Sequence, residues 1–138
     1  MKRFLIFLLS GVMMLAACPA NCEGNNGDGM MNGYKQIDQE MAKQMMEKND
    51  GHVVVDVRRQ DEYDAGHIPG AILIPNESIG SDPPETLPDY SQIILIYCRS
   101  GNRSKQAAQK LAGMGYTNIF EFGGIGSKKT YKLNLSIT

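Results

Sequence analysis

Residues 93–104 have the sequence IILIYCRSGNRS, and the rest of the chain is interpreted around them. The apolar residues 93–97 predict a buried strand that ends at Cys98, and a helix is predicted over residues 105–112 after a short basic loop. A thiol at such a junction lies near backbone N–H groups and the positive end of the helix dipole, which favours the thiolate. Cys98 is therefore either a reactive nucleophile or a buried structural cysteine, and this segment alone leaves both interpretations open.

The segments on either side alternate between strand and helix patterns. Residues 52–58 (HVVVDVR) form a β-branched run that suits a strand buried on both faces of a parallel sheet. Further strands are predicted at residues 34–37, 72–74 and 118–122, a helix at residues 39–48, and helical turns at residues 60–64 and 77–80. This alternation predicts an α/β fold with a mostly parallel central sheet.

The helix at residues 39–48 is expected to begin at Asp38, because an aspartate side chain readily accepts a hydrogen bond from the first helical turn. One face of this helix is apolar and is expected to pack in the core, not to bind a cofactor. Its members are Met41, Ala42, Met45 and Met46.

Composition limits the possible functions. A chain of 138 residues with 42% hydrophobic residues suits one domain with a modest core. A net charge of −1 argues against general nucleic-acid binding. Three cysteines do not make a disulfide framework, so their positions matter more than their number.

Residues 1–17 have the pattern of a targeting signal. Lys2 and Arg3 precede 12 mainly apolar residues at positions 4–15, fewer than the roughly 20 that span a membrane, and this matches a signal-peptide core. The following LAAC, residues 15–18, resembles the bacterial lipobox, which implies lipid modification of Cys18. The alternative is an ordinary secretory signal cleaved near Ala17 or Ala20.

The lipobox interpretation predicts an exported protein that is lipid-anchored at the bacterial cell envelope, on its periplasmic or extracytoplasmic side. Residues 18–33 are rich in Gly and Asn and are expected to form a flexible tether. The tether contains Cys22, either an incidental thiol or a partner for Cys98. After loss of residues 1–17, 12 basic and 15 acidic residues remain, so any attraction for anions must be local to the cysteine loop.

Several separated segments together resemble the rhodanese family. They are DVR at residues 56–58, EY at 62–63, GHIPGA at 66–71, YCRSGNRS at 97–104 and FGGI at 122–125. The resemblance implies a rhodanese-like α/β domain over residues 34–138, with a parallel central sheet of about five strands flanked by helices. It implies neither a cofactor nor a metal.

The resemblance also implies roles for individual residues. Cys98 matches the family's sulfur-carrying catalytic cysteine. The substrate-binding active loop corresponds to Arg99, Ser100, Gly101, Asn102, Arg103 and Ser104. Asp56 and Arg58 match a pair near that loop, for which a structural ion pair is the favoured interpretation. His67 lies in a structural segment of the family, and we expect it to anchor the loop instead of acting as a base.

The size of the loop separates sulfur chemistry from phosphate chemistry. Four residues lie between Cys98 and Arg103, so the loop has six members. Related phosphatases of this fold have a seven-member loop sized for phosphate, and commonly a His where this chain has Tyr97. The smaller ring resembles the sulfurtransferase version of the loop, which implies a fit to a persulfide sulfur and argues against a phosphatase or an arsenate reductase.

The activity implied by the resemblance is sulfur transfer through a persulfide on Cys98. The donor would be a small anion such as thiosulfate, and the acceptor a thiol or cyanide. The alternative is a non-enzymatic, membrane-tethered persulfide or redox relay that docks a protein partner, and a third is a degenerate structural domain. The sequence leaves the physiological donor and acceptor, the membrane and the oligomeric state open.

The chain departs from the family pattern from about residue 126. The family usually continues from its GG[IV] motif into a Trp and a closing helix, whereas this chain contains no Trp. Residues 132–138 alternate polar and apolar side chains in a strand-like pattern. We therefore expect an atypical C-terminal end.

Overall fold

The structure is a computed structural model that describes residues 30–31 and 33–126. The predicted signal segment 1–17, the lipid site Cys18, the tether thiol Cys22 and the atypical tail from residue 127 lie outside the described residues. Within the described part of the chain, no helix has the length and apolar character needed to cross a membrane.

In the described part of the chain, six strands form one sheet in the order β1-β2-β6-β5-β3-β4. They are β1 (Met30–Met31), β2 (Tyr34–Gln36), β3 (Val53–Asp56), β4 (Ile72–Leu73), β5 (Ile93–Cys98) and β6 (Asn118–Gly124). All neighbouring strands are parallel except β1, which pairs antiparallel with β2. The predicted α/β fold with five parallel strands is confirmed. The short edge strand β1 lies within the residues predicted to be a tether.

Three α-helices connect the strands within these described residues, and a short 3₁₀ helix follows β4. They are α1 (Gln39–Met46), α2 (Gln60–Asp64) and α3 (Asn102–Gly113), with the 3₁₀ helix at Asn76–Ser78. The Asp38 cap is confirmed, since its Oδ1 accepts a hydrogen bond from the Met41 N–H at 2.8 Å. Helix α3 begins three residues earlier than predicted, because Gly101 at a φ of 98° turns the loop directly into the helix.

The central strand β5 explains why both faces of the sheet are covered. Ile94, Ile96 and Cys98 point to one side, where they join the cluster that contains the buried face of α3. Leu95 and Tyr97 point to the other side and pack in a second cluster with Ala42 of α1. This alternation follows from the two-residue period of a strand, and burial on both faces explains the continuous apolar run.

The apolar face of α1 is narrower than predicted. Ala42 is buried, and Met45 and Met46 pack partly buried against the second cluster. Met41 was expected in the core but is 49% exposed. At about 100° per residue, Met41 lies roughly 90° from the centre of the face formed by the other three residues, so it falls beside the sheet contact.

Candidate active site

Cys98 lies at the carboxyl end of β5 and is completely buried. The loop that follows curls back over its sulfur, so that the Gly101 N–H donates a hydrogen bond to Sγ at 3.0 Å. Gly101 has a φ of 98° and is the N-cap of α3. The sulfur therefore faces a backbone donor and the first turn of a helix, where a negative charge is favoured.

A chain of hydrogen bonds continues inward from the sulfur. The Cys98 thiol is 3.4 Å from the Ser104 hydroxyl, which lies 2.6 Å from Oε1 of Glu121 and 3.0 Å from the Gly101 carbonyl. Glu121 also accepts hydrogen bonds from the Gly123 N–H at 2.8 Å and from the Gln36 side chain at 3.1 Å. A carboxyl group therefore lies beneath the loop, one hydroxyl away from the Cys98 sulfur.

The sequence interpretation missed Glu121. It is 2% exposed on β6, opposite Ile96 of β5. Burial, and next the nearby charge of Glu121, raise the pKa of the Tyr34 phenol. The available signal was an isolated acid in the apolar sequence IFEF at residues 119–122, since a buried carboxyl group needs partners.

Arg103 is bound to another element instead of pointing free into the loop. Its guanidinium donates two hydrogen bonds to the Glu62 carboxylate of α2, at 2.6 and 2.9 Å. These bonds lower the pKa of Glu62 to about 2 and raise the pKa of Arg103. The pair joins the start of α3 to α2 over 41 residues of sequence.

The other predicted loop residues include three that are exposed to solvent. Arg99, Ser100 and Asn102 are exposed. The loop backbone is held by the chain that follows β6, because the Ile125 N–H donates to the Cys98 carbonyl at 2.9 Å and the Gly126 N–H to the Arg99 carbonyl at 3.0 Å.

Asp56 and Arg58 form the expected ion pair at the carboxyl end of β3, with a shortest N–O distance of 2.7 Å. Arg58 also donates to the Gly66 carbonyl at 2.7 Å, which fixes the start of the GHIPGA segment. Burial acts to lower the pKa of Arg58, but the hydrogen bonds and charge of Asp56 raise it overall. These contacts are those of a structural ion pair that holds two loops together.

His67 packs within the same connector. Its ring stacks on Tyr63 with the centroids 3.7 Å apart, and its Nδ1 lies 3.0 Å from the Tyr63 carbonyl oxygen. The next residue, Ile68, donates its N–H to the Tyr97 hydroxyl at 3.1 Å. These contacts are those of a loop anchor. Across residues 30–31 and 33–126, no three His, Cys, Asp or Glu side chains are grouped as a metal site would require.

Residues 38–125 match the Rhodanese-like domain family. The chain belongs to the rhodanese-like family. It is 35% identical over 94 residues to thiosulfate sulfurtransferase GlpE of Pseudomonas entomophila, which covers 68% of this chain and 83% of that protein. It is also 35% identical over 71 residues to thiosulfate sulfurtransferase PspE of Escherichia coli, which covers 51% of this chain and 68% of that protein.

A solved structure of a rhodanese with anions from E. coli superposes on this rhodanese-like chain with a TM-score of 0.54 and 29% identity. The match covers 63% of this chain and 96% of the E. coli protein. At the level of the family, these relatives support sulfur transfer as the activity.

Proposed function

We propose that this protein is a sulfurtransferase that carries a sulfane sulfur as a persulfide on Cys98. One observation carries the proposal: the Cys98 sulfur lies under a six-member loop, where the Gly101 N–H donates to it at 3.0 Å and α3 begins. This position favours both the thiolate and the persulfide anion. The names of the relatives support thiosulfate as a donor.

The first half-reaction forms a bond between the Cys98 thiolate and the outer sulfur of thiosulfate. The sulfur–sulfur bond of the donor breaks, its electron pair leaves with sulfite, and the persulfide anion remains on Cys98. In the second half-reaction a thiolate or cyanide attacks the outer persulfide sulfur. The acceptor leaves with that sulfur and the Cys98 thiolate is regenerated, as in other two-step covalent mechanisms.

A persulfide relay that receives its sulfur from a docked protein is the second candidate. The observation that favours it is the complete burial of Cys98. A free donor reaches Sγ only when loop residues move apart, and a docked partner could bring about this opening. A persulfide relay of this kind would show little turnover with thiosulfate alone, whereas a sulfurtransferase would turn over with thiosulfate and a small acceptor.

Intact-mass analysis of the full chain after incubation with thiosulfate tests the proposal. We expect the protein to gain the mass of one sulfur atom, and cyanide to remove it with formation of thiocyanate. Cys98→Ser should abolish both effects, and Cys22→Ser, which removes a thiol outside the loop, should retain both. Retention of activity in Cys98→Ser would rule out the mechanism, while sulfur uptake only in the presence of a protein partner would favour the relay.

We also propose that the protein is exported and anchored to the cell envelope by lipid on Cys18. The proposal rests on the signal pattern of residues 1–18. When the chain is expressed in bacteria, the wild type should sediment with membranes and carry a lipid mass on its N-terminal peptide. Cys18→Ser should lose both properties, and a variant that kept the lipid mass would contradict the proposed site.

A further inference from the structure

We propose that Cys22 is the first acceptor of the sulfane sulfur, which passes to it from the persulfide of Cys98 in the same chain. The inference deepens the proposed function and rests on it, because it names the acceptor of the second half-reaction. Two observations carry it: the direction in which β1 joins the sheet, and the number of residues between β1 and Cys22.

The direction of β1 brings the chain that precedes it to the edge of the sheet that carries the cysteine loop. Strands β2, β6 and β5 are parallel, and β5 ends at Cys98. Strand β1 runs antiparallel to β2, with Met30 paired to Lys35 and Met31 to Tyr34. Met30 therefore lies nearer to the loop edge than Met31, and the chain enters β1 from that edge.

The turn between β1 and β2 lies close to α3. Gly33 has a φ of 86° in this turn, a conformation that favours glycine. A Cβ added to Gly33 would come within 3.0 Å of the Cβ of Ala112. Because the turn packs directly on the helix, the place where the chain reverses is fixed, and so is the edge at which β1 begins.

Strand spacing sets the distance from the start of β1 to Cys98. Strands β2 and β6 lie between β1 and β5, so the separation across the sheet is three strand spacings, about 14 Å. The level of Met30 is carried across the sheet by the pairs Met30–Lys35, Lys35–Phe120 and Phe120–Leu95. Cys98 lies three residues beyond Leu95, about 10 Å further along β5. Together these give about 17 Å between Met30 and Cys98.

The chain between Cys22 and Met30 is long enough to cover this distance. Cys22 precedes Met30 by eight residues, and an extended chain of that length reaches at most about 26–29 Å. Three of the seven intervening residues are glycine. A Gly-rich chain of eight residues has a root-mean-square span of about 14–17 Å. A span that matches the distance gives a tethered group its highest effective concentration, in the millimolar range.

The burial of Cys98 favours an acceptor on the same chain. Its sulfur is completely buried, so an acceptor meets the persulfide only while the loop residues are apart. A tethered thiol competes for each such opening at its effective concentration, whatever the concentration of external thiols. Charge favours the same approach, because residues 19–29 contain two acids and no basic residue, and Arg99 is an exposed cation of the loop.

The transfer is balanced between the two sulfur atoms. Cys22 loses its proton to solvent and attacks the outer sulfur of the Cys98 persulfide. A sulfur–sulfur bond forms at Cys22, the bond to Sγ of Cys98 breaks, and its electron pair stays on Sγ, where the Gly101 N–H donates to it. No oxidant or reductant is consumed. Cys18 does not compete, because the lipid proposed above occupies its sulfur.

Time-resolved trapping of the full chain tests the transfer. The protein is mixed with thiosulfate, trapped with iodoacetamide at intervals and digested, and peptide masses locate the extra sulfur. We expect sulfur on the Cys98 peptide first and on the Cys22 peptide later, at a rate independent of protein concentration. Sulfur that stays on Cys98, or a transfer rate proportional to protein concentration, would overturn the inference. No uptake at Cys98 would instead overturn the proposed function.

The length of the tether provides a sharper comparison. Deletion of residues 23–29 leaves one residue step, about 3.6 Å, between Cys22 and Met30, so transfer should stop although Cys98 still loads. Insertion of seven Gly and Ser residues after Gly29 keeps Cys22 within reach and should lower the rate only about two- to threefold. Equal transfer rates in the two variants would contradict transfer through the tether.

The matched control places an exposed thiol at the other edge of the sheet. Lys48 is exposed and precedes β3, which begins at the edge opposite to the loop. In Cys22→Ser/Lys48→Cys the new thiol should stay unmodified over the period in which Cys22 is loaded in the wild type. Transfer to it at the same rate would show that any exposed thiol serves as the acceptor.

A second measurement of reach needs no sulfur donor. Oxidised glutathione takes two electrons from Cys22 and Cys98, which become an intramolecular disulfide while two glutathione thiols are released. The disulfide should form in the wild type and in the insertion variant but not in the deletion variant, as read from the mass of the linked peptides. Its absence from the wild type, or its presence in the deletion variant, would contradict the inference whether or not thiosulfate loads Cys98.

Discussion

Arg99 and Arg103 belong to the same loop, but within residues 30–31 and 33–126 only Arg103 forms an ion pair with a carboxylate. The Arg103 guanidinium is bonded twice to Glu62. Arg99 is exposed, and its carbonyl is held by the Gly126 N–H. We therefore expect Arg99 to supply most of the attraction for an anionic sulfur donor, with Arg103 acting mainly as a structural link.

Replacement of Arg99 by alanine should raise the KM for thiosulfate about five- to tenfold and change kcat less, because the charge attracts the donor before and during the reaction alike. Thiocyanate formation measured at two salt concentrations checks this, and the variant should show the weaker salt dependence. Lys48→Ala is the matched control, because Lys48 is also an exposed cation but lies away from the loop. The first residue of α1, Gln39, contacts Gly124 beside the loop, and Lys48 follows the opposite end of that helix. An unchanged KM in Arg99→Ala would contradict the assignment.

The Glu62–Arg103 pair should make stability depend on pH. In the folded protein the pKa of Glu62 is about 2, against an ordinary value of 4.5. A carboxyl group with a depressed folded pKa stabilises fully above its unfolded pKa, and this contribution is lost as the pH falls from about 4.5 to 2. Glu62→Gln should lower the free energy of unfolding at pH 7 by about 1–2 kcal/mol and flatten its decline in acid.

Urea unfolding followed by circular dichroism at pH 7, 4.5 and 3 measures this difference. The exposed Glu47→Gln variant is the control and should keep the wild-type dependence on pH. An equally steep loss of stability in Glu62→Gln and in the wild type would assign the acid sensitivity to other groups.

At the scale of elements, the site depends on how β6 runs past β5. Ile96 is paired with Glu121, but Cys98 is paired with Gly124, so β6 contains one extra residue at this point. Gly123 has a φ of 83° there, and its N–H points to the Glu121 carboxylate. An extra residue of this kind redirects the side chains next to it. Here it occurs directly after Glu121, whose carboxyl group lies beneath the loop.

Gly124→Ala should damage the loop more than an ordinary glycine substitution. A Cβ at Gly124 would collide with the carbonyl group of Arg99 and approach the backbone of Ser100. We expect a loss of about 2 kcal/mol or more in stability and a large loss of sulfur transfer, because the backbone around Cys98 must move. Thermal unfolding and the thiosulfate assay measure the two effects.

The matched control for this substitution is Gly113→Ala at the end of α3. A Cβ at Gly113 meets nothing within 4 Å, and alanine is favoured over glycine in a helix. This variant should be at least as stable as the wild type and fully active. Equal behaviour of the two variants would show that the close approach of β6 to the loop is unimportant.

At the scale of the whole molecule, β5 is a central strand that contributes buried side chains to both hydrophobic clusters. Leu95 is completely buried in the cluster opposite to that of Cys98. Leu95→Ala should therefore cost about 2–5 kcal/mol of unfolding free energy, because it leaves a cavity in this cluster. Met41→Ala, at a position 49% exposed, should change stability by less than about 0.5 kcal/mol. Urea unfolding with comparable slopes provides the test, and a similar cost for both variants would contradict the packing described.

Features that depend on near neighbours in sequence were predictable. Asp38 caps α1 through a residue three positions away, and Asp56 pairs with Arg58 two positions away. Features that depend on distant neighbours were not. Arg103 meets Glu62 across 41 residues, and Ser104 meets Glu121 across 17. The prediction that Met41 lies in the core was wrong for a related reason. Its position in the helical repeat suits an apolar face, but contact with the sheet decides how wide the buried face is.

The sequence by itself determined the strand, loop and helix that carry Cys98 and the parallel sheet, because strand and helix periods are local properties. The resemblance to the rhodanese-like family also lies in the sequence, because separated motifs carry it. Tertiary structure decided which arginine of the loop pairs with a carboxylate and which carboxyl group lies near the thiol. Those outcomes depend on strand order and register, which place Glu121 one hydroxyl from Cys98 and leave Arg99, not Arg103, exposed at the loop.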